Sequence, residues 1–315
     1  MYSGSKSNRR KFLMQAGAIG ALATMPGFLF GKASGKKLTI LHTNDTHSRI
    51  DPFPDNDPNF AGQGGVARRA ALIKKIRSEE RNVLLLDSGD VYQGTPYFNV
   101  FKGSLEIKLM SQMGYDASTM GNHDFDLGLE GFLANLPEAR FPFICSNYDF
   151  TNTILEGRTF PYRVFERDGL RIGIFGVGVR LEDLVLPQLS AETKYLDPIE
   201  TSIEMASKLR NEQHCDLVIC LSHIGYYYKQ PDAMHDIRLA QSSENIDIIL
   251  GGHSHHFLDQ PDIKLNRRGK EVLIAQTGHG GVRLGRIDVY FDQKNKVSGH
   301  TASLEKIDSS RIAWS

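Results

Sequence analysis

Thiols are scarce in this 315-residue chain, whose three cysteines, Cys145, Cys215 and Cys220, are too few for a disulfide framework and form no thiolate cluster. Cys145 and Cys220 fall in expected strands and read as buried thiols, and nothing in the sequence pairs Cys215 with either. Two common catalytic signatures are missing: there is no Gly-Lys-Ser/Thr phosphate loop and no nucleophile elbow. The glycines of Gly173–Gly178 lie inside an apolar run that opens no helix, so a plain buried strand fits better than a dinucleotide fingerprint. Net charge is also lacking, with 37 basic residues balancing 37 acidic ones. The balance conceals an asymmetry, because residues 1–35 hold five basic residues and no acidic one, which leaves the remainder at about −5. A nucleic acid polymer is therefore not expected as a partner, whereas a small phosphate held by metals needs no basic surface. No internal repeat or low-complexity linker interrupts the chain.

What is present is a set of nine polar residues gathered into five short clusters at or near the ends of expected strands. The clusters are Asp45-Thr46-His47, Asp87-Ser88-Gly89-Asp90, Gly121-Asn122-His123-Asp124-Phe125-Asp126, Ser222-His223 and Gly251-Gly252-His253-Ser254-His255. Strand-like runs precede most of them: Leu38–Leu41, Val83–Leu86, Leu217–Leu221 and Ile246–Leu250. Ligands of open α/β sheets bind outside the carboxyl ends of the strands, so such strands would deliver the clusters to one edge. Imidazoles, carboxylates and an amide oxygen together suit borderline divalent ions such as zinc, manganese or iron. Any one cluster alone reads equally well as a turn with a capping residue; five in one chain read as a metal site.

The order and spacing of these motifs resemble the calcineurin-like metallophosphoesterases, specifically the catalytic domain of the 5′-nucleotidase branch, from about Lys37 onward. The resemblance implies a first metal held by Asp45, His47 and His255, a second held by Asn122, His223 and His253, and Asp90 bridging the two. It makes His123 a histidine that meets the substrate phosphate without binding metal, beside Asn122, and Asp126 the carboxylate that orients it. Asp124 stands where the branch often has Glu, with no evident consequence, and His255 where it often has an amide, a departure that bears on metal preference. The remaining histidines are set aside: His42, His214, His235 and His300 as structural or solvated, and His256, which adjoins a cluster, and His279, in the glycine-rich turn Gly278 to Gly281, without an assigned role.

The N-terminus carries a separate signal. Asn8-Arg9-Arg10-Lys11-Phe12-Leu13-Met14 leads into an uncharged stretch to Phe30 that contains Gly17, Gly20, Pro26 and Gly27. This resembles a bacterial twin-arginine signal peptide, which implies export to the periplasm with cleavage near Gly31 to Gly35 and no stable membrane span afterwards.

Residues 1–35 are thus expected to be the signal and 36–315 a single catalytic domain. Helical periodicity runs over Val66–Arg77, Leu105–Met113, Leu129–Leu136, Ile199–Arg210 and Ala233–Gln241. Further strands are expected at Tyr162–Glu166 and Leu170–Val177, joined by an Asp168-Gly169 turn, and at Glu271–Ala275 and Arg283–Phe291. The resemblance implies a four-layer αββα sandwich, two mixed sheets face to face with helices outside. It also implies hydrolysis of a small phosphate ester, most simply a nucleotide, with two divalent metal ions and a metal-bound hydroxide as nucleophile. A 2′,3′-cyclic-nucleotide phosphodiesterase and a nucleotide-sugar pyrophosphatase are the neighbouring activities. A non-catalytic metal- or nucleotide-binding subunit is the reading from another class. Full-length 5′-nucleotidases continue into a base-stacking domain where this sequence ends at Ser315, so a separate base-binding protein is expected, or recognition mainly through the phosphate.

Overall fold

Period-two alternation in the apolar strands decides the architecture, because each strand has an inner and an outer apolar face. In the computed structural model, which describes residues 35–311 apart from 183 and 231, thirteen strands form two large sheets and one small pair. The expected signal peptide lies outside the described residues.

The strands are β1 (Lys37–Thr43), β2 (Val83–Asp87), β3 (Ala117–Ser118), β4 (Tyr148–Asp149), β5 (Tyr162–Arg167), β6 (Leu170–Gly178), β7 (Lys194–Tyr195), β8 (Leu217–His223), β9 (Ile248–Leu250), β10 (Asp262–Leu265), β11 (Glu271–Ala275), β12 (Arg283–Phe291) and β13 (Val297–Lys306). One sheet has the order β13-β12-β1-β2-β3 and the other β10-β11-β9-β8-β6-β5, while β4 and β7 pair separately. Both large sheets are mixed: β1, β2 and β3 run parallel, as do β6, β8, β9 and β11, with antiparallel strands at the margins.

Leu38, Ile40, Leu84 and Leu86 of the first sheet pack against Ile174, Ile219, Leu221, Ile248 and Leu250 of the second, forming the dry centre. The intervening residues face outward. Leu41 and Leu85 meet the helices Val66–Glu79 and Ser104–Met113 through Leu72, Ile73, Ile107 and Met110. On the far side Val218, Cys220, Ile249 and Ile274 meet Met205, Ala206, Leu239 and Ala240 from the helices Pro198–Ser207 and Asp236–Ser242. The result is the expected αββα sandwich. Truncating one inter-sheet residue such as Ile219, which is fully buried, to Ala would cost about 2–5 kcal/mol in lost transfer and cavity terms.

Several boundaries depart from the sequence reading. The expected helix Ile199–Arg210 begins one residue earlier at Pro198, with the Asp197 side chain accepting the N–H groups of Ile199 and Glu200, and passes at Lys208 into a π-type turn to Glu212. The segment expected to be helical from Ala233 starts at Asp236, capped by the His235 ring nitrogen accepting the Arg238 N–H. Cys145 sits just after an isolated bridge rather than within a strand; all three thiols are free and buried, which was the expectation for Cys145 and Cys220. The reason for glycine inside β6 is a close approach: a Cβ at Gly176 would fall 2.1 Å from the Ile144 carbonyl oxygen.

Candidate metal centre

The parallel strands β1, β2 and β3 of one sheet and β8 and β9 of the other end where the five clusters begin. Asp45 follows β1, Asp90 follows β2, the Gly121–Asp126 segment follows β3, His223 is the last residue of β8, and His253 and His255 follow β9. The backbone turns sharply at this edge. Asp45, His47, Asp90, His253 and His255 all have φ between 48 and 70°, a left-handed region that non-glycine residues occupy rarely and that Asp and His tolerate better than most.

Two groups of side chains converge there. Asp45, His47 and His255 offer ligand atoms lying within 4.8 Å of one another, and so do Asp90, His223 and His253. Nε2 of His255 is 3.2 Å from Asp45 Oδ1 and 3.1 Å from Nε2 of His47. Nε2 of His223 is 3.1 Å from Asp90 Oδ2, which in turn is 3.9 Å from Nε2 of His47, so the Asp90 carboxylate stands between the groups. Asp45 is 0% exposed and Asp90 1%. Two carboxylates buried this deeply require compensating positive charge.

The donor set fits divalent cations. The Asn122 Oδ1 atom is buried without a hydrogen-bond partner, and His223 Nε2, close to Asp90 but not aligned for a hydrogen bond with it, is left in the same state. Such orphans are rare and call for an explanation; a cation in contact with both would provide it. Burial would lower the His223 imidazole, but the Asp90 and Asp45 carboxylates drive it up to about 10. The site thus attracts a positive charge at that nitrogen. Burial, helped by His223, pulls His253 down to about 4, and burial also lowers His47 despite the nearby Asp90 and Asp45. Both are held neutral, the form that binds metal.

The ring of His223 is fixed by its Nδ1 donating to the Ser88 carbonyl at 2.6 Å, and the His47 Nδ1 lies 3.3 Å from the Tyr92 carbonyl. These partners orient the ligand rings and set which nitrogen faces inward. His123 stands at the rim with its ring centroid 5.4 Å from that of His47. Its Nδ1 is 3.0 Å from Asp126 Oδ2, and its backbone N–H donates to Asp90 Oδ1 at 2.8 Å.

Three contributors were given no role in the sequence reading. Asp124 is fully buried and its carboxylate accepts four backbone N–H groups, from Gly121, Asp90, Val91 and Tyr92. Burial and the Asp90 charge push it up to about 7 in the metal-free chain. Asn44 donates to Asp45 Oδ2 at 2.6 Å and to the Gly278 carbonyl at 2.7 Å, tying β1 to the Gly278–Gly281 turn. His279, on that turn, stacks on His255 with centroids 4.8 Å apart and an interplanar angle of 19°. Adjacency to a cluster was the available signal for Asn44; Asp124 already stood within a cluster without a role, and for His279 there was only its glycine-rich turn.

The calcineurin-like phosphoesterase profile matches residues 38–257. The chain belongs to this family. Among the relatives of this phosphoesterase, the snake venom 5′-nucleotidase of Naja atra is 35% identical over 293 residues, 86% of this chain and 54% of the relative. Human 5′-nucleotidase is 32% identical, with 89% of this chain and 51% of the relative aligned. The solved 5′-nucleotidase precursor of Thermus thermophilus superposes with a TM-score of 0.80 at 31% identity, covering 88% of this chain and 56% of that one. The phosphoesterase therefore spans about half the length of these relatives.

Proposed function

We propose that the chain is a dinuclear-metal-dependent phosphomonoesterase of the 5′-nucleotidase type. The observation that carries this reading is the His123–Asp126 pair set beside the two ligand groups, with Nδ1 of His123 engaged 3.0 Å from Asp126. A site that only stores metal has no use for a rim imidazole whose other nitrogen is left for a ligand. The residues that would hold the ions are Asp45, His47 and His255 for one and Asn122, His223 and His253 for the other, with Asp90 between them. The chemistry supplied by divalent ions bound there is neutralisation of phosphate charge and acidification of a water.

This chain's own groups do the rest. His123 donates through Nε2 to a phosphate oxygen and then to the departing alkoxide, a role suited to an imidazole whose protonated form is favoured. The hydrogen bond that His123 donates to Asp126 raises the His123 pKa, partly offset by burial. Asp126 also fixes the tautomer. Asn122 adds its amide beside His123, and the Asp124 carboxylate holds the Asp90 and Gly121 backbones at their separation. The 5′-nucleotidase relatives favour a nucleotide as the ester.

Residues 1–35 are proposed to be a twin-arginine signal and 36–315 the catalytic domain, with the periplasm as destination. Among the described residues no helix is long and apolar enough to cross a membrane. Replacing Arg9 and Arg10 by Lys should block export.

The deciding experiment strips the metals from the purified chain, restores manganese, zinc or iron singly, and follows p-nitrophenyl phosphate, bis-p-nitrophenyl phosphate and AMP. Metal-restored turnover led by the monoesters is expected. Two bound metals with no turnover of any ester would overturn the reading in favour of a non-catalytic subunit.

A further inference from the structure

Beside the loop that carries His47, three buried polar side chains line one small cavity. Glu106, on the helix Ser104–Met113, is 3% exposed, and neither of its carboxylate oxygens has a hydrogen-bond partner among the described residues. Arg69, on the helix Val66–Glu79, is 4% exposed with an unpartnered Nε, and Ser48, next to His47 in the chain, is 1% exposed with an unpartnered Oγ. All three border the same space, together with Thr46. Glutamate and arginine are almost never buried this far unless paired, and a single orphaned polar atom in such a place calls for an explanation. Four orphaned atoms around one cavity call for a common one.

Size and charge identify the occupant. The cavity measures about 10 Å³, close to the least that holds one water molecule and too little for an organic ligand. A metal cation there would face the Arg69 guanidinium, and an anion would face the Glu106 carboxylate. Arg49 also borders the space, with its guanidinium over the Phe53 ring, 4.1 Å from the centroid. Water is neutral and both accepts and donates. It can accept from the Arg69 Nε–H and donate to Glu106, while the Ser48 hydroxyl supplies a further donor. That meets the roughly three polar contacts typical of a buried water.

We propose that this cavity is a water-binding site, and that its water completes a buried Arg69–Glu106 ion pair that anchors the His47 loop to both helices. The Ser48 backbone is already engaged, its N–H donating to the Val91 carbonyl at 2.9 Å and its carbonyl accepting from Thr95 Oγ1 at 2.7 Å. Its hydroxyl is the group left to join the loop to the helices. The same guanidinium packs on the Gly278–Gly281 turn, where a Cβ on Gly281 would collide with Nη1, and the Gly280 N–H of that turn donates to the Asp45 carbonyl at 2.7 Å. Arg69 and Glu106 are thereby positioning residues for the first ligand group, acting through Ser48 and the turn. That effect on metal rests on the dinuclear reading; the water-bridged pair does not.

A crystal structure of the full chain should show one water in contact with Glu106, Arg69 Nε and Ser48 Oγ. Urea unfolding of the full chain, with saturating manganese and again after chelation, tests the pairing. Arg69→Met and Glu106→Met should each raise the unfolding constant at least about 100-fold, because each leaves one buried charge alone, whereas the double variant should stay within about ten-fold of the unaltered chain. Glu106→Met should also weaken one of two manganese ions about ten-fold, and Glu106→Gln, which still accepts from the water, should keep most of that affinity. If the single Met variants fail to fold, a double variant that folds shows the same coupling. Losses that simply add in the double variant would overturn the site, and so would a metal ion in the cavity or a direct Arg69–Glu106 contact without water. Coupling that persists in a chain that binds no manganese would uphold the pair and defeat the dinuclear reading instead.

Discussion

The Asp124 carboxylate accepts the backbone N–H of Asp90 at 2.9 Å and that of Gly121 at 2.8 Å through the same oxygen, Oδ2, while Oδ1 accepts from Val91 and Tyr92. One buried side chain thus fixes two metal-facing loops that come from different strands. Gly121 has to be glycine for that approach, because a Cβ there would sit 2.2 Å from Asp90 Oδ1 and 2.6 Å from His223 Cε1.

Asp124→Ala leaves those four donors without their acceptor. The expected loss is about 3 kcal/mol or more of stability, since each unsatisfied buried donor costs about 1–3 kcal/mol and water will reach some of them. Metal content should fall with it, by at least one ion per chain under conditions that saturate the unaltered protein. Urea titration and metal analysis of the same preparation check both, and a variant that keeps two ions would show that Asp90 and Asn122 are positioned by something else.

Asp126→Asn removes the strongest influence that raises the His123 pKa. A raised folded value keeps the imidazolium to higher pH, so its removal should move the alkaline limb of kcat/KM for p-nitrophenyl phosphate to lower pH. Turnover at the optimum should fall about 100-fold, the lower end of what a positioned general acid contributes, since His123 itself is retained. Metal content should remain at two. An unshifted limb would separate Asp126 from the proton transfer.

His279→Ala exposes the face of His255 that the second ring now covers at 4.8 Å. His255 is among the most exposed of the candidate ligands, with its side chain 40% accessible, so it has most to lose from an unpinned ring. One of the two ions should then bind about ten-fold more weakly, as is typical when the groups that orient a ligand are lost. His279→Phe should restore most of that affinity by restoring the stack, and competition with a fluorescent chelator measures both. Equal affinity across the three proteins would show the stacking to be incidental.

The sheets were legible because their strands alternate two apolar faces: Leu38 and Ile40 against Leu41, Ile219 and Leu221 against Val218 and Cys220. The strand β13 was not legible, since Val297–Lys306 is mostly polar and covers the edge of the sheet through backbone pairing with β12, which needs no apolar pattern. The two-residue strands β3, β4 and β7 are too short to carry a period. The five clusters could be read because ligand chemistry restricts the residue types. Asn44 and Asp124 could not be weighed in the same way, since their work is done on backbone groups and on a neighbouring carboxylate that only the folded chain brings within reach.

His42 offers a prediction independent of the metals. It is 2% exposed, and its ring occupies the space left by its cross-strand partner Gly285, where a Cβ would lie 2.0 Å from the imidazole Nε2. Burial pulls its pKa down to about 4, against about 6.5 in an unfolded chain. Between those values the unfolded state binds a proton that the folded state refuses. Stability from this group is therefore complete above pH 6.5 and is lost as pH falls toward 4, a total of about 3 kcal/mol. Asp87, raised by burial to about 6, and Asp236, raised by burial to about 8, contribute with the opposite sign, losing stability as pH rises. Both are common to the native chain and to His42→Asn, so they cancel in the comparison. Urea unfolding of the two proteins at pH 7 and pH 4.5 should show the native chain losing about 2 kcal/mol more than the variant. Parallel losses would mean that His42 is protonated inside the sheet, and that its unpaired Nδ1 has found a partner.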